Sequence, residues 1–313
     1  MPQKKPLPVD PTLAVQLDLL LHPEHNTTGY AAFEDAMAHP FTPEATTWSR
    51  VNAWWLADAS WLAYSHDNAE VKRILAVRAG LTSCTFIAGG GTSGYIAHNN
   101  DLAIVAFRGT QPDDWHDLFD LAGLLPERWD VGLVHHGFAD ALTNVWSQLH
   151  AELSALPSTC RIWLTGHSLG AALASLTAVR IGSRASGVYT YGAPRVGDSV
   201  FATHFNQAFQ ETSIRYVNDH DVVTHVPPEH VVPFMRYTHT DHLRWIDQNG
   251  QVGTAHPTVE HFVLHLFGKM EALLRMVNLA HEPAGFPLPD MFTDHTPLYY
   301  ALHTWNDFAT NGD

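Results

Sequence analysis

Cysteines, cations and long uncharged apolar segments are all scarce in this chain, and each shortage excludes a class of protein. Only Cys84 and Cys160 occur among 313 residues, each at the edge of an apolar run that predicts a strand, so we expect two buried thiols rather than a disulfide framework. Lysine and arginine number 17 against 32 acidic residues, a net charge of -15. This balance argues against a nucleic-acid partner and against binding to an anionic membrane surface, so any contact with lipid should be apolar. No run of 18 uncharged apolar residues is present, and the sequence therefore predicts no transmembrane helix.

The first 45 residues are rich in proline and predict an N-terminal arm that carries one short helix near 13–21. Asp18 interrupts the apolar stretch of this helix and no small-residue cleavage pattern follows it, so the sequence predicts no secretion signal. We therefore expect a soluble protein, located in the cytoplasm or exported by a route that the sequence does not reveal. Residues 46–313 are interpreted as one α/β domain, because 45% apolar residues are ample for a sizeable core.

What the chain does contain is a serine in a setting typical of catalysis. Residues 166–170 read Gly-His-Ser-Leu-Gly. They lie between the apolar run 162–165, which predicts a buried strand, and the small-residue segment 171–179, which predicts a helix. Strand, G-x-S-x-G and helix in that order form a nucleophile elbow, in which the two glycines let strand and helix approach while the serine backbone is strained. We therefore expect Ser168 to be a nucleophile.

Strands and helices alternate through the middle of the chain, which predicts a mostly parallel, doubly wound sheet flanked by helices. The glycine run 89–94 lacks the lysine and the following helix of a P-loop, and it is interpreted as the turn of a hairpin. The predicted helices are 50–65, 138–153 and 199–209, and the predicted strands are 84–88, 95–98, 102–107, 162–165, 188–191 and 214–217.

A nucleophilic serine needs a base, an acid that orients the base, and donors for the oxyanion. In α/β-hydrolases the acid follows the serine along the chain and the histidine comes last. Asp198, Asp219 and Asp221 all follow the elbow. Asp221 comes directly after a predicted strand and before a rigid proline pair, where a loop residue can be fixed beneath the elbow. With 22 histidines in the chain, these arguments alone leave the base open.

Five segments of the chain form a wider pattern. They are Val-Ala-Phe-Arg-Gly-Thr at 105–110, Val-His-His-Gly-Phe at 134–138, Gly-His-Ser-Leu-Gly-Ala-Ala-Leu-Ala at 166–174, Tyr-Gly-Ala-Pro-Arg-Val-Gly-Asp at 191–198 and Asp-His-Asp-Val-Val at 219–223. In this order, over roughly residues 85–300, they resemble the class 3 lipases, the fungal-lipase-like branch of the α/β-hydrolases. The resemblance implies an α/β-hydrolase fold with a central, mostly parallel mixed sheet. It also implies hydrolysis of carboxylic esters, most of all acylglycerols, through an acyl-enzyme.

The resemblance also implies the remaining catalytic residues. It makes Asp221 the acid and His295, in the late Asp-His-x-x-x-Tyr segment, the base, with His242 as the alternative base. The oxyanion is expected to accept hydrogen bonds from the backbone N–H of Leu169, which follows the nucleophile, and from Thr110, which follows the Arg-Gly pair.

Three neighbouring residues are expected to have structural roles. His239 matches a histidine that is structural in the family, and Asp198 is interpreted as a helix cap. Arg108, at the end of a strand, is expected to brace the oxyanion loop through buried hydrogen bonds.

The segment 111–125 follows the expected oxyanion loop and predicts an amphipathic helix. In the fungal relatives this region is a lid that opens at a lipid–water interface, and the alternative is a static helix fixed to the core. A second apolar segment, 286–292, precedes His295 and is expected to wall the acyl site. The residues expected to contact substrate are Trp115, His167, Phe286 and Leu288.

A metal site is the main competing interpretation of the histidines, since His256, Glu260, His261 and His265 include a pair four residues apart. No third ligand group pairs with them by spacing, so we expect a packed or solvated helix face, no metal and no cofactor. Two other functions stay open. One is an esterase for short or aromatic esters on the same fold, and the other is a non-catalytic lipid-binding module, which should have lost a triad member.

Overall fold

The structure is a computed structural model that describes residues 2–8, 20–110, 125–230, 235–240, 242–254 and 293–313. Its helices are α1 Arg50–Leu62, α2 Asn68–Val77, α3 His136–Ala155, α4 Leu169–Ile181, α5 Ser199–Phe209 and α6 Pro297–Asn311. Its strands are β1 Ser83–Gly89, β2 Thr92–His98, β3 Leu102–Phe107, β4 Pro126–Arg128, β5 Leu133–His135, β6 Arg161–His167, β7 Ala185–Tyr191, β8 Gly197–Asp198, β9 Ser213–Asn218, β10 Tyr237–Thr238, β11 Leu243–Ile246 and β12 Val252–Gly253.

Eight strands form the central sheet in the order β1-β2-β3-β6-β7-β9-β11-β12. The five strands from β3 to β11 run parallel to one another, and antiparallel strands complete both edges. The predicted mostly parallel sheet is therefore confirmed. A second, four-stranded sheet has the order β10-β8-β5-β4. The predicted hairpin is also confirmed, because β1 and β2 pair around Gly90 and Gly91, whose φ angles of 55° and 82° are ones that glycine adopts without strain.

The two faces of the central sheet have different cores. Successive side chains of a strand point to opposite faces, and along β3 the residues Leu102, Ile104 and Ala106 pack into one core while Ala103 and Val105 pack into the other. We call the first core the aromatic face, since it contains buried Trp54, Trp55, Trp61, Trp163, Trp305, Tyr189, Tyr191, Tyr216 and Tyr300. We call the second the aliphatic face, which is built from helices α3, α4 and α5 and includes Leu142, Val145, Leu149, Leu173, Leu176 and Val188.

Residues 20–45, part of the predicted N-terminal arm, pack onto the aromatic face. The contact is fixed by Asp58 in the middle of α1, whose carboxylate accepts hydrogen bonds from the Tyr30 hydroxyl at 2.6 Å and from the Phe33 N–H at 2.7 Å. Residues 2–8 lie against α6, where the Trp305 indole donates to the carbonyl of Gln3 at 3.0 Å. Residues 9–19, which hold most of the predicted short helix, are outside the described ranges.

Several boundaries differ slightly from the predictions. Helix α1 begins as predicted, with Ser49 accepting from the N–H of Asn52 as its cap, but it ends at Leu62 rather than 65 because the Tyr64 N–H turns back to the carbonyl of Trp61. Both cysteines are free thiols, and the expectation of two buried ones is wrong for Cys84, which is half-buried because β1 is an edge strand. Among the described residues, no helix has the length and apolar character to cross a membrane.

Candidate active site

Ser168 lies at a sharp turn between β6 and α4. Its backbone has φ 57° and ψ -127°, a strained conformation for a residue with a side chain. The glycines on either side are required by packing: a Cβ at Gly166 would lie 2.7 Å from the Ala171 nitrogen, and one at Gly170 would lie 2.8 Å from the carbonyl carbon of Phe107. The serine Oγ is buried and has no hydrogen-bond partner among the described residues. The predicted nucleophile elbow is present in full.

A buried acid–base pair lies on two loops beside this turn. Nδ1 of His295 is 2.8 Å from Oδ2 and 2.9 Å from Oδ1 of Asp221, and both side chains are completely inaccessible to solvent. Asp221 follows β9 and His295 lies just before α6. Because a carboxylate only accepts, Nδ1 carries the ring proton, and Nε2 is left as the basic nitrogen of the imidazole.

The Asp221 carboxylate is held in place by two further donors. Oδ1 accepts the N–H of Val223 at 2.9 Å, which makes Asp221 the cap of the short 3-10 helix Val222–His225. Oδ2 accepts the hydroxyl of Tyr300 at 2.6 Å, and the same hydroxyl accepts the N–H of Asn218 at 3.0 Å. These bonds fix the carboxylate in the orientation that faces the imidazole.

The end of β7 brings the elbow and the acid–base pair together. The carbonyl of Tyr191 accepts the N–H of Ser168 at 3.0 Å, and the next residue, Gly192, has φ 59°. A Cβ at Gly192 would lie 2.7 Å from Oδ2 of Asp221 and 2.9 Å from Nδ1 of His295. The backbone of Tyr191 and Gly192 therefore lies against all three members of the expected triad, and no side chain fits at position 192.

The loop after β3 lies against the elbow on its other side. A Cβ at Gly109 would be 2.9 Å from the Cβ of Ser168 and 2.6 Å from the carbonyl oxygen of His167. This contact places the loop that continues to Thr110 beside the serine, while Leu169 begins α4, whose N-terminus favours negative charge. The arrangement brings together the two segments expected to supply the oxyanion donors. The Nε of Arg108 is buried without a hydrogen-bond partner among the described residues, and the bracing expected of this side chain stays a prediction.

His167 lies inside the protein rather than on the substrate side. Its Nε2 is 2.5 Å from the carbonyl oxygen of His295, and its Nδ1 is 2.7 Å from the hydroxyl of Tyr64. Burial lowers the pKa of this imidazole well below its usual value, and the positive charge that His295 can carry lowers it further. The neutral ring thus donates through Nε2 and accepts from Tyr64 through Nδ1. This position differs from the expected substrate contact, because one ring nitrogen binds the backbone carbonyl of His295 and the other binds the hydroxyl of Tyr64.

The other predicted residues divide into described and undescribed ones. Asp198 caps α5 by accepting the N–H of Phe201 at 2.9 Å, as predicted. His239 is half-buried, and its Nε2 is 2.6 Å from the carbonyl oxygen of Thr224. His242 precedes β11, and the hydrogen-bond partners of the Asp221 carboxylate in the described part of the chain do not include it.

Outside the described residues lie Trp115, Phe286, Leu288, the histidine pair His261 and His265, and the expected lid except for Leu125.

One group near the triad has the composition of a metal site. Ligand atoms of Asp219, His220 and Asp294 lie within 4.8 Å of one another. Here Nδ1 of His220 is 2.7 Å from Oδ2 of Asp219, and the N–H of His220 donates to Asp294 at 3.2 Å. The Asn218 amide also donates to the carbonyl of Asp294 at 3.0 Å. We interpret the group as a link between the two loops that carry Asp221 and His295.

Sequence reasoning missed Tyr64 and Tyr300. Tyr300 comes five residues after His295 and Tyr64 follows α1 by two residues, and both resemble ordinary buried aromatics of a helical face. In the D-H-x-x-x-Y segment the tyrosine at the motif position is Tyr299, which instead donates to the carbonyl of Pro8 at 3.2 Å. No signal in a single sequence separates these hydroxyls from those of the other core tyrosines.

Comparison with known proteins shows which family the sequence around this site matches. Residues 104–231 match the family described as "Lipase (class 3)". A lipase of Caenorhabditis elegans is 33% identical over 208 residues, which cover 60% of this chain and 58% of that protein. A secreted mono- and diacylglycerol lipase of Fusarium solani is 37% identical over 123 residues, which cover 36% of this chain and 34% of that protein. The chain therefore spans less than two thirds of the length of these relatives.

Solved structures extend the likeness in fold. A crystal structure of a mutant form of MDLA from Penicillium cyclopium superposes with a TM-score of 0.54 and covers 83% of this chain and 96% of that chain. The sequence identity is 21%, so this likeness concerns the fold alone. Together with the strand order and the elbow after β6, it identifies the architecture as an α/β-hydrolase fold.

Proposed function

Residues 104–231 of this chain belong to the class 3 lipase family, and on that premise we propose that the protein is a serine carboxylic-ester hydrolase that cleaves acylglycerols. The observation that carries the proposal is the buried Asp221–His295 pair, 2.8 Å apart, on loops that meet the strained turn of Ser168. A buried, tautomer-fixed imidazole next to an elbow serine has the arrangement that acyl transfer requires.

In the proposed mechanism Nε2 of His295 takes the proton of Ser168 as Oγ attacks the ester carbonyl. The negative charge that develops on the carbonyl oxygen is stabilised by the backbone N–H groups of Thr110 and Leu169, and each such donor is typically worth about 3 kcal/mol. His295 then gives its proton to the departing alcohol, which leaves an acyl-enzyme. Water, deprotonated by the same histidine, releases the acid.

The remaining polar groups serve this cycle by holding the imidazole. Asp221 stabilises the imidazolium that forms twice in each turnover and keeps the proton on Nδ1. Tyr300 fixes the carboxylate, and His167 fixes the backbone of His295 from the other side. The protein thus positions its base from both the ring and the main chain.

Acylglycerols are the proposed substrates because the relatives named as mono- and diacylglycerol lipases have this activity in their names. A net charge of -15 favours approach to lipid through apolar rather than basic contacts. We propose that the enzyme acts at a lipid–water interface. The second candidate, an esterase for short soluble esters, shares every group of the site and differs only in the acyl pocket and the lid.

The proposed nucleophile is tested by Ser168→Ala, with Ser175→Ala as the matched control. Ser175 is a buried serine of α4, the helix that follows Ser168, and in the described part of the chain its hydroxyl donates to the carbonyl of Ala171 at 3.0 Å. Ser168→Ala should lower kcat for p-nitrophenyl esters by at least roughly 10⁴-fold, with an unchanged circular-dichroism spectrum, while Ser175→Ala should keep most of the activity. Comparable activity in Ser168→Ala sinks the proposal.

The base and the substrate class need separate measurements. His295→Ala should be inactive and His242→Ala active, and the opposite result would transfer the role of base to His242. A series of esters from acetate to palmitate, measured above and below the solubility limit of each, separates lipase from esterase. A rise in rate on crossing that limit supports action at an interface, and a preference for short dissolved esters without such a rise supports the esterase.

A further inference from the structure

A cluster of two histidines and a glutamate lies where the N-terminal segment meets the turn after α1. The histidine cluster consists of His22 and Glu24, from the N-terminal segment, and His66, from the turn that follows α1. One ligand atom of each lies within 4.8 Å of those of the other two. Glu24 and His66 are 42 residues apart in the sequence. The fold, rather than a local sequence motif, therefore brings the three residues together.

His22 is already held as a metal ligand needs to be. Its ring is buried, and Nδ1 is 2.8 Å from the backbone carbonyl oxygen of Tyr64. A carbonyl can only accept, so Nδ1 carries the proton and Nε2 carries the lone pair. Metal-binding histidines characteristically donate their other ring nitrogen to a backbone carbonyl or a carboxylate, which fixes both tautomer and ring orientation.

Glu24 and His66 complete the cluster around this ring. The imidazole of His66 stacks on that of His22 with ring centres 4.4 Å apart, and Oε1 of Glu24 lies 3.4 Å from Nδ1 of His66. The same oxygen accepts the backbone N–H of His66 at 2.8 Å. These two contacts orient the Glu24 carboxylate toward His66, and the imidazole of His22 lies beside them.

We propose that His22, Glu24 and His66 bind one Zn²⁺ ion. Two imidazoles and one carboxylate form a ligand set that suits Zn²⁺, with water in the fourth position, whereas Mg²⁺ and Ca²⁺ prefer sites made of oxygen ligands alone. Two imidazoles packed closely beside a carboxylate are stabilised when all three groups bind the same cation. This site is made of other residues than the group of His256, Glu260, His261 and His265 that the sequence analysis considered, and its existence does not depend on the proposed hydrolase activity.

The bound ion has a structural consequence. It joins the N-terminal segment to the turn after α1, next to Tyr64, whose carbonyl holds His22 and whose hydroxyl holds His167. None of the three ligands touches Ser168, Asp221 or His295 in the hydrogen bonds described above. We therefore expect the ion to raise thermal stability, since it binds the folded protein and not the separated segments of the unfolded chain.

The test uses the full chain without an affinity tag, stripped with EDTA and titrated with Zn²⁺ by calorimetry and thermal unfolding. The wild type should bind one ion at this site and gain roughly 3–8 °C in Tm at saturation. His66→Ala and Glu24→Gln should each weaken binding by at least about 10-fold and lose the gain in Tm. The matched control is His136→Ala, which removes an exposed histidine paired with a single glutamate, Glu127, 2.5 Å away.

The side chain of His66 is 57% exposed and that of Glu24 is 20% exposed, so both variants should fold, and their metal-free Tm values should remain close to that of the wild type. The control His136→Ala and the variant Ser168→Ala should both respond to Zn²⁺ as the wild type does, which separates this proposal from the one on ester hydrolysis. The proposal is overturned if Zn²⁺ leaves the Tm of the wild type unchanged. It is equally overturned if His66→Ala and Glu24→Gln bind and respond like the wild type.

Discussion

The two faces of the central sheet show two ways of building a core. The aliphatic face packs leucine, valine and alanine side chains that have no polar atoms to satisfy. The aromatic face packs tryptophans and tyrosines, and most of their polar atoms find specific partners: the Tyr95 hydroxyl donates to Ala59 at 2.9 Å and the Trp48 indole to Tyr216 at 2.9 Å. Aliphatic packing buries apolar surface but does not by itself fix the orientation of a polar group. Each of these hydrogen bonds also fixes the orientation of the side chain that makes it.

This difference explains where the expected triad is braced. Tyr300 belongs to the aromatic face and holds the carboxylate of Asp221, and Tyr64, at the end of α1, holds His167. In the hydrogen bonds described, the side chains of the aliphatic core contribute nothing comparable. We infer that the aliphatic face governs stability alone, while the aromatic face governs stability and geometry together. Three substitutions test this inference.

The largest expected effect concerns the pH dependence of stability and belongs to the aromatic face. Burial raises the pKa of Asp58 from 3.8 to about 7. The folded state therefore keeps a proton that the unfolded chain releases above pH 4, so the free energy of unfolding falls as the pH rises from about 4 to about 7 and is level above that. Over this window Asp58 should cost up to roughly 4 kcal/mol of stability.

Asp58→Asn cannot titrate and should lack this slope. Urea unfolding of both proteins at several pH values between 4.5 and 8.5 measures the difference, which should shrink or change sign steadily as the pH increases to 7. Parallel curves for wild type and variant would show that Asp58 has an ordinary pKa in the folded protein. Ester hydrolysis, measured at pH 8 in the same samples, reports whether the site stays intact.

The second effect belongs to the aliphatic face. Leu149 of α3 is completely buried, and Leu149→Ala leaves a cavity that should cost about 3 kcal/mol in the free energy of unfolding. Because α3 makes none of the hydrogen bonds described for Ser168, Asp221 and His295, kcat should stay within about twofold of the wild type at temperatures where the variant is folded. A large loss of kcat in a fully folded sample would contradict the proposed division between the two faces.

The smallest expected effect belongs to the aromatic face and concerns kcat rather than stability. Tyr300→Phe keeps the ring and removes the hydroxyl that bridges Asp221 and the N–H of Asn218. A hydrogen bond to a charged group is worth about 2 kcal/mol, so kcat should fall roughly 30-fold with little change in KM. Tyr299→Phe is the control, since it removes a neighbouring hydroxyl that donates to the carbonyl of Pro8 and not to Asp221. Equal kcat in the two variants would remove Tyr300 from the positioning of the acid.

The sequence predicts this fold where a local pattern decides the structure. Continuous apolar runs predict the interior strands β3 and β6, and two glycines around a serine predict the strained turn, because these features depend only on neighbouring residues. The boundaries moved by a few residues, as they did for α1, where a turn through Tyr64 replaces the last helical turn. Asp58 carried an unused signal, since it is the single acid of α1 and lies among its apolar residues.

Groups that meet through long-range packing could not be predicted in this way. The hydroxyl of Tyr300 reaches Asp221 across 79 residues of sequence, and that of Tyr64 reaches His167 across 103. Nothing in the local sequence distinguishes such a tyrosine from one that fills space. The histidine cluster could not be predicted for the same reason, because its members come from two separate segments of the chain.

The crowding around Ser168 also limits how this turn can evolve. Gly166 and Gly170 contact neighbouring backbone so closely that no other residue fits, and His167 is fixed on both ring nitrogens. Leu169 is the one half-buried residue among the five positions from 166 to 170. If the proposed ester hydrolysis holds, adaptation to new esters by point mutation should therefore occur at Leu169 and in the surrounding loops, while the other four positions stay unchanged.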